Sequence, residues 1–172
     1  MHPSPKLAEN LATTAHAGQL YDDKIPYIRH PGMVVAVLER FGITRSEMVC
    51  GGWCHDVIED SRNSYNDVKK ELGAEVAELV YAVTSELGRD RKERNQKTYG
   101  KIRASRDALI LKLADRIANL EYSSANGGKA EMYRAEFPEF YDALYRAPDQ
   151  ATPDGQILAR MWAHVKLLLK VE

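Results

Sequence analysis

The sequence predicts an all-α fold, and three observations point that way. Nearly every apolar segment repeats at three- and four-residue spacing, and no segment alternates apolar with polar as a half-buried strand would. Gly18, Gly42 and Gly73 close segments, and Pro31 opens one. The 172 residues contain no internal repeat, low-complexity tract or break in composition. A chain of this length suits one compact domain, expected here over residues 1–172 as a bundle of about seven or eight short helices.

Each helix has a local reason. The first spans Pro5 to Ala17, with Leu7, Leu11 and Ala15 four apart, and ends at Gly18. Residues Gln19 to Arg29 are polar and irregular. Pro31 then occupies a first-turn position, and Met33 to Phe41 form the second helix, closed by Gly42. Thr44 or Ser46 caps a third, running to about Glu59. Ser64 opens a short helix ending at Gly73, and Ala74 to Ser85 carries the stripe Val76, Leu79, Val80 and Val83. The charged stretch Gly88 to Lys101 reads as a solvated loop and helix surface. Asp107 to Glu121 reads as a buried helix. After the Asn126-Gly127-Gly128 turn, helices over Ala130 to Arg146 and Gln156 to Val171 complete the chain, separated by Pro148 and Pro153. The last carries Ile157, Met161, Trp162, Val165 and Leu169 on one stripe, which reads as core.

Composition excludes several function classes. Lys and Arg number 24 against 25 Asp and Glu, a net charge of −1, so there is no whole-chain footprint for nucleic acid or an anionic membrane. No apolar run is long enough to span a bilayer, and the N-terminus has no apolar core of a secretory signal. Cys50 and Cys54, four apart, read as small buried residues in a reduced, cytoplasmic protein rather than a disulfide framework.

Chemistry concentrates in Trp53-Cys54-His55-Asp56-Val57-Ile58-Glu59-Asp60. On a continuous helix His55 and Glu59 share one face, as do Asp56 and Asp60. Three carboxylates near a helix C-terminus repel one another and oppose its dipole, which a divalent cation would relieve. His30, beside Pro31, is a further candidate. So is Asp115, flanked by apolar residues, because a buried carboxylate needs an arginine or a metal as partner. His30, His55, Asp56 and Asp115 together offer imidazole and carboxylate ligands without thiolate, a set that suits Mn, Fe, Zn, Co or Ni. His16 and His164 read as structural or surface residues.

Four runs, in this order, carry a resemblance: Ala15-His16-Ala17-Gly18-Gln19, Pro26-Tyr27-Ile28-Arg29-His30-Pro31, His55-Asp56-Val57-Ile58-Glu59-Asp60 and Lys112-Leu113-Ala114-Asp115-Arg116-Ile117-Ala118-Asn119. With them the chain resembles the metal-dependent HD phosphohydrolases. Within these it is similar to the hydrolase domain of the RelA/SpoT enzymes in its stand-alone form, the small alarmone hydrolases. The resemblance covers roughly residues 6 to 146 and implies a single HD-domain bundle.

It also implies roles. His30, His55, Asp56 and Asp115 would hold one Mn²⁺, and Glu59 and Asp60 would position or deprotonate the attacking water. Asn119 would contact the nucleotide, and Lys24, Arg94, Lys97 and Arg134 would meet its phosphates. The implied reaction removes pyrophosphate from the ribose 3′ position of guanosine tetra- or pentaphosphate. With no synthetase segment the expectation is hydrolysis alone, on a small-molecule nucleotide. Tyr21 and Asp22 stand where the family commonly has Arg and Lys. That departure keeps other nucleotides in view, namely the 2′-phosphate of NADPH or a deoxynucleoside triphosphate. A nucleotide sensor without catalysis is a third reading, disfavoured by the intact ligand set. Oligomeric state is not legible.

Overall fold

The computed structural model describes residues 3–171. Among them are nine helices, a single helical turn and one two-stranded hairpin. Helix α1 (Pro5–Ala15) starts on a proline after Ser4. The hairpin pairs β1 (Leu20–Tyr21) antiparallel with β2 (Ile25–Pro26), Leu20 opposite Pro26 and Tyr21 opposite Ile25. The remaining elements are α2 (Arg29–Arg40), α3 (Ser46–Cys54), the turn α4 (Val57–Asp60), α5 (Tyr65–Leu72), α6 (Ala74–Val83), α7 (Arg91–Ile102), α8 (Arg106–Asn126), α9 (Ala130–Leu144) and α10 (Pro153–Leu169).

Two expectations need correction. The sequence carries no signal for the hairpin, because two-residue strands have no readable period. Its bend places Asp22 and Asp23 in the left-handed region, at φ 53° and 56°, which short side chains able to bond locally tolerate best. The third helix does not reach Glu59. It stops at Cys54, His55 and Asp56 form a turn, and one helical turn follows. Asp56 lies at φ −99°, ψ −4°, the sparsely populated bridge between the helical and extended regions.

Side chains from the preceding loop cap four of the helix starts. Ser64 and Asp67 form a reciprocal capping box on α5. Asp90, Ser105 and Thr152 each accept a backbone N–H at the starts of α7, α8 and α10.

The apolar faces form two buried clusters. The larger joins α2, α8, α9 and α10 through residues such as Leu38, Ile110, Leu113, Ile117, Phe140, Met161 and Trp162. Val165 and Leu169 are in it and Ile157 packs against it, so the stripe on α10 is core. The smaller joins α1, α3, α5 and α6, and includes Cys50, Cys54, Val57, Val68 and Val76. Both cysteines are buried free thiols. Helix α3 lies close against the larger cluster because Gly51 and Gly52 carry no side chain there. A Cβ on Gly51 would stand 2.6 Å from Leu79 Cδ2, and one on Gly52 would stand 3.0 Å from Leu38 Cδ1 and Val35 Cγ2. No helix among the described residues is long and apolar enough to cross a membrane.

Candidate metal centre and active-site cleft

A polar cleft of about 280 Å³ opens where the start of α2, the α3–α4 junction, the middle of α8 and the hairpin meet. At its floor four residues converge. His30 Nε2 and His55 Nε2 are 3.1 Å apart. Asp56 Oδ2 lies 3.0 Å from His55 Nε2 and 3.6 Å from His30 Nε2. Asp115 Oδ1 lies 3.3 Å from His30 Nε2 and 3.8 Å from His55 Nε2. The donor atoms of His30, His55 and Asp56 all fall within 4.8 Å of one another. Asp115 adds a second carboxylate on the α8 side.

These donors suit a divalent cation. His55 Nδ1 is 2.9 Å from the Gly52 carbonyl. A carbonyl only accepts, so Nδ1 carries the proton and the neutral ring presents the Nε2 lone pair to the cleft. That lone pair faces His30 Nε2 and a carboxylate oxygen. Such converging lone pairs repel unless a proton or a cation sits among them. Two imidazole nitrogens and two carboxylates are the mixed donors that hard-to-borderline divalent ions take.

With protons in place of a cation, burial pushes the His55 imidazolium down, but Asp56 and then Asp115 outweigh it and hold the group up at about 9. Burial pushes Asp56 up; His55 and His30 more than reverse this and leave it below the usual carboxylate range. Asp115 behaves likewise, against Lys112 first and then the two histidines.

The carboxylates have partners. Lys112 Nζ is 2.8 Å from Asp115 Oδ2, one helical turn earlier. Asn119, one turn later, donates through Nδ2 to Asp115 Oδ1 at 2.6 Å and to its carbonyl at 2.9 Å. Its Oδ1 accepts from the Tyr21 hydroxyl at 2.7 Å. Asn119 thus lines the cleft but commits both N–H groups to Asp115, so it positions that carboxylate rather than standing free for a nucleotide.

Glu59 Oε2 accepts the Ser85 N–H at 2.8 Å. Asp60 faces the Tyr27 hydroxyl, and its carboxyl is raised, first by partial burial and then by Asp56 and Glu59. The Tyr21 ring stacks on His30, centroids 4.8 Å apart and nearly parallel.

The expected phosphate contacts are placed differently. Helix α7 turns Arg91, Asn95, Thr98 and Tyr99 to the cleft. Arg94 and Lys97 lie off that face, and Lys97 bonds Glu93 and the Leu87 carbonyl. Arg134 holds the Leu169 carbonyl at the end of α10, away from the cleft. Lys24 bonds Asp22 at 3.0 Å and points to solvent. The cations on the cleft wall are Arg91, Lys112, Arg116 and Lys129.

The Arg116 guanidinium is buried over the Tyr133 and Phe140 rings, 4.1 and 4.5 Å from their centroids. Both Arg91 and Arg116 pair with Glu136. The readable signal was the phase of α7. Thr98, Tyr99 and Ile102 are its buried residues, and they fix which charges face inward.

Residues 8–148 match the family described as HD domain. The chain belongs to the HD-domain family. Among curated HD-domain relatives it is 34% identical over 116 residues to the guanosine-3′,5′-bis(diphosphate) 3′-pyrophosphohydrolase MESH1 of Danio rerio, covering 64% of each chain. It is 32% identical over 131 residues to the protein of the same name from Drosophila melanogaster, covering 73% of each. The chain therefore spans just under two thirds of the zebrafish relative's length. In fold it is similar to the solved structure of a metazoan ortholog of SpoT described as hydrolysing ppGpp. That likeness has a TM-score of 0.75 at 24% identity, over 95% of this chain and 97% of that one.

Proposed function

We propose that this HD domain is a metal-dependent nucleotide phosphohydrolase that cleaves pyrophosphate from the ribose 3′ position of guanosine 3′,5′-bis(diphosphate). The products would be GDP, or GTP from the pentaphosphate, and pyrophosphate. The observation that carries this is the convergence of His30, His55, Asp56 and Asp115, from three separate elements, on the floor of an open polar cleft. The names of the curated relatives supply the substrate.

In this reading the four residues hold one Mn²⁺. When bound, the ion supplies positive charge at the phosphorus under attack and makes water more acidic. Asp60, beside Asp56, accepts the proton of the attacking water. Glu59, fixed by the Ser85 N–H, orients that water. Arg91, Arg116 and Lys129 receive phosphate oxygens on the opposite wall. The working unit is one domain over residues 1–172. Helix α10, beyond the family match, belongs to it because it packs on α8 through the larger cluster. The cytoplasm suits two buried reduced thiols.

A second reading keeps the site and changes the nucleotide. It is favoured by Asp22, which lines the cleft, and by the pairing of Lys24 to that carboxylate. NADPH, through its 2′-phosphate, or a deoxynucleoside triphosphate then becomes the substrate. Product analysis with Mn²⁺ and these three substrates side by side separates the readings. GDP with pyrophosphate from the tetraphosphate is the expected result. Preference for another nucleotide moves the substrate alone. Tight nucleotide binding without turnover overturns catalysis, and undiminished turnover by His55→Ala or Asp60→Ala overturns the proposed site.

A further inference from the structure

The His16-Ala17-Gly18-Gln19 run has no part in the chemistry above, yet it is packed around one end of the cleft. His16 is buried and its ring stacks on Tyr27, centroids 4.6 Å apart. His16 Nδ1 lies 2.8 Å from Gln19 Oε1. Gln19 Nε2 in turn donates to the Asp60 carbonyl at 2.7 Å. The run therefore holds the Tyr27 ring on one side and the Asp60 backbone on the other.

Between these fixed points sits one hydroxyl with two acceptors. Tyr27 Oη is 2.8 Å from Asp56 Oδ2 and 3.1 Å from Asp60 Oδ2. A phenol has a single proton and can serve the two carboxylates only in turn. The Asp56 oxygen concerned is the same Oδ2 that stands beside His55 Nε2 and His30 Nε2 in the donor cluster. In the geometry without an ion, Asp56 is the nearer acceptor. A cation drawing charge from that oxygen weakens it as an acceptor, while Asp60, outside the cluster, keeps its charge. Hydrogen bonds to a full anionic charge are the stronger ones.

We propose that Tyr27 is a positioning residue that passes its hydrogen bond from Asp56 to Asp60 when the cluster takes up a divalent cation. Loading the ion thereby fixes the Asp60 carboxylate. With its backbone already held by Gln19, Asp60 has only side-chain rotation left to lose, and the hydroxyl removes it. The ring stack on His16 keeps the phenol from turning away as the bond changes hands. The proposal rests on the metal-site part of the proposed function and is independent of which nucleotide is cleaved.

The test adds Mn²⁺ alone to the full chain and to Tyr27→Phe and Asp60→Ala, and records the near-ultraviolet tyrosine difference spectrum. Tyr27→Phe keeps the stacked ring, and thermal melts check that both variants are folded. The expected result is a tyrosine signal on loading the native chain that disappears in both variants. In Tyr27→Phe the Mn²⁺ dissociation constant, read by calorimetry, should stay within about threefold of native. Its kcat should fall about tenfold or more with KM held, the scale of a lost outer-shell partner.

The same difference spectrum in Asp60→Ala as in the native chain overturns the transfer. So does native kcat in Tyr27→Phe, or a loss of Mn²⁺ affinity large enough to account for the fall in kcat. A native chain that binds no Mn²⁺ overturns the metal site and this proposal together. A native difference spectrum without turnover of any nucleotide supports the transfer and overturns only the substrate reading.

Discussion

Helix α8 and the α3–α4 junction both bring carboxylate to the floor of the cleft, by opposite means. Helix α8 runs unbroken for 21 residues. It surrounds Asp115 with Lys112 one turn before and Asn119 one turn after, at 2.8 and 2.6 Å, as three- and four-residue spacing dictates. The junction instead abandons the helix. Adjacent residues on a helix do not face each other, yet His55 Nε2 and Asp56 Oδ2 are 3.0 Å apart. The bridge conformation of Asp56 makes this possible. His55 Nδ1 occupies the Gly52 carbonyl, which the Asp56 N–H would take in an unbroken helix. A regular helix thus delivers a ligand with its supports one turn away, whereas two neighbouring ligands require a break and a side chain to replace the lost backbone bond.

The largest effect should come from removing one ligand on each side. His55→Ala at the junction and Asp115→Ala on α8 should each weaken Mn²⁺ binding by about a hundredfold or more, read by calorimetry on folded protein. Loss at His55 with native affinity in the Asp115 variant would confine the ligands to the junction and α2.

Protons should distinguish the two regions next. His55 is held at about 9, above its ordinary 6.5. In chelator-treated protein, protonated His55 therefore adds stability that is complete below pH 6.5 and is lost as the pH rises through about 9. The ion needs the neutral ring, so its affinity should climb by up to about tenfold per pH unit across that window and level off above it. A flat profile would place the competing proton elsewhere.

Removing a support rather than a ligand should cost less. Asn119→Ala leaves α8 helical but frees Asp115 on one side, and should lower metal affinity or turnover by about 10- to 100-fold. Circular dichroism should be unchanged. The smallest effect concerns the packing that aims the junction. Gly52→Ala presses a methyl against Leu38 and Val35 at 3.0 Å, and should destabilise the fold by about 1–2 kcal/mol in denaturant titrations. Stability equal to native would mean that α3 can shift without strain.

Legibility followed the same division. Asp115 could be picked out because an acid among Leu, Ile and Ala on a periodic segment is anomalous, and its supports lie at fixed offsets. The break at His55 could not, since no glycine or proline marks it and Val57 and Ile58 continue the apolar pattern. The hairpin was silent for want of length. On α7 charge alone misled: Arg94 and Lys97 are as basic as Arg91, and only the buried Tyr99 and Ile102 decide which of them faces the cleft.

The sequence by itself determined the helical class, several helix starts and the residue types that carry the chemistry, because periodicity, caps and donor identity are local properties of a chain. Tertiary structure decided which cations face the cleft, that Tyr27 bridges Asp56 and Asp60, and that Asn119 serves Asp115. These depend on the rotation and approach of one helix against another. That is set by packing across contacts distant in sequence, such as the 98 residues between Tyr21 and Asn119.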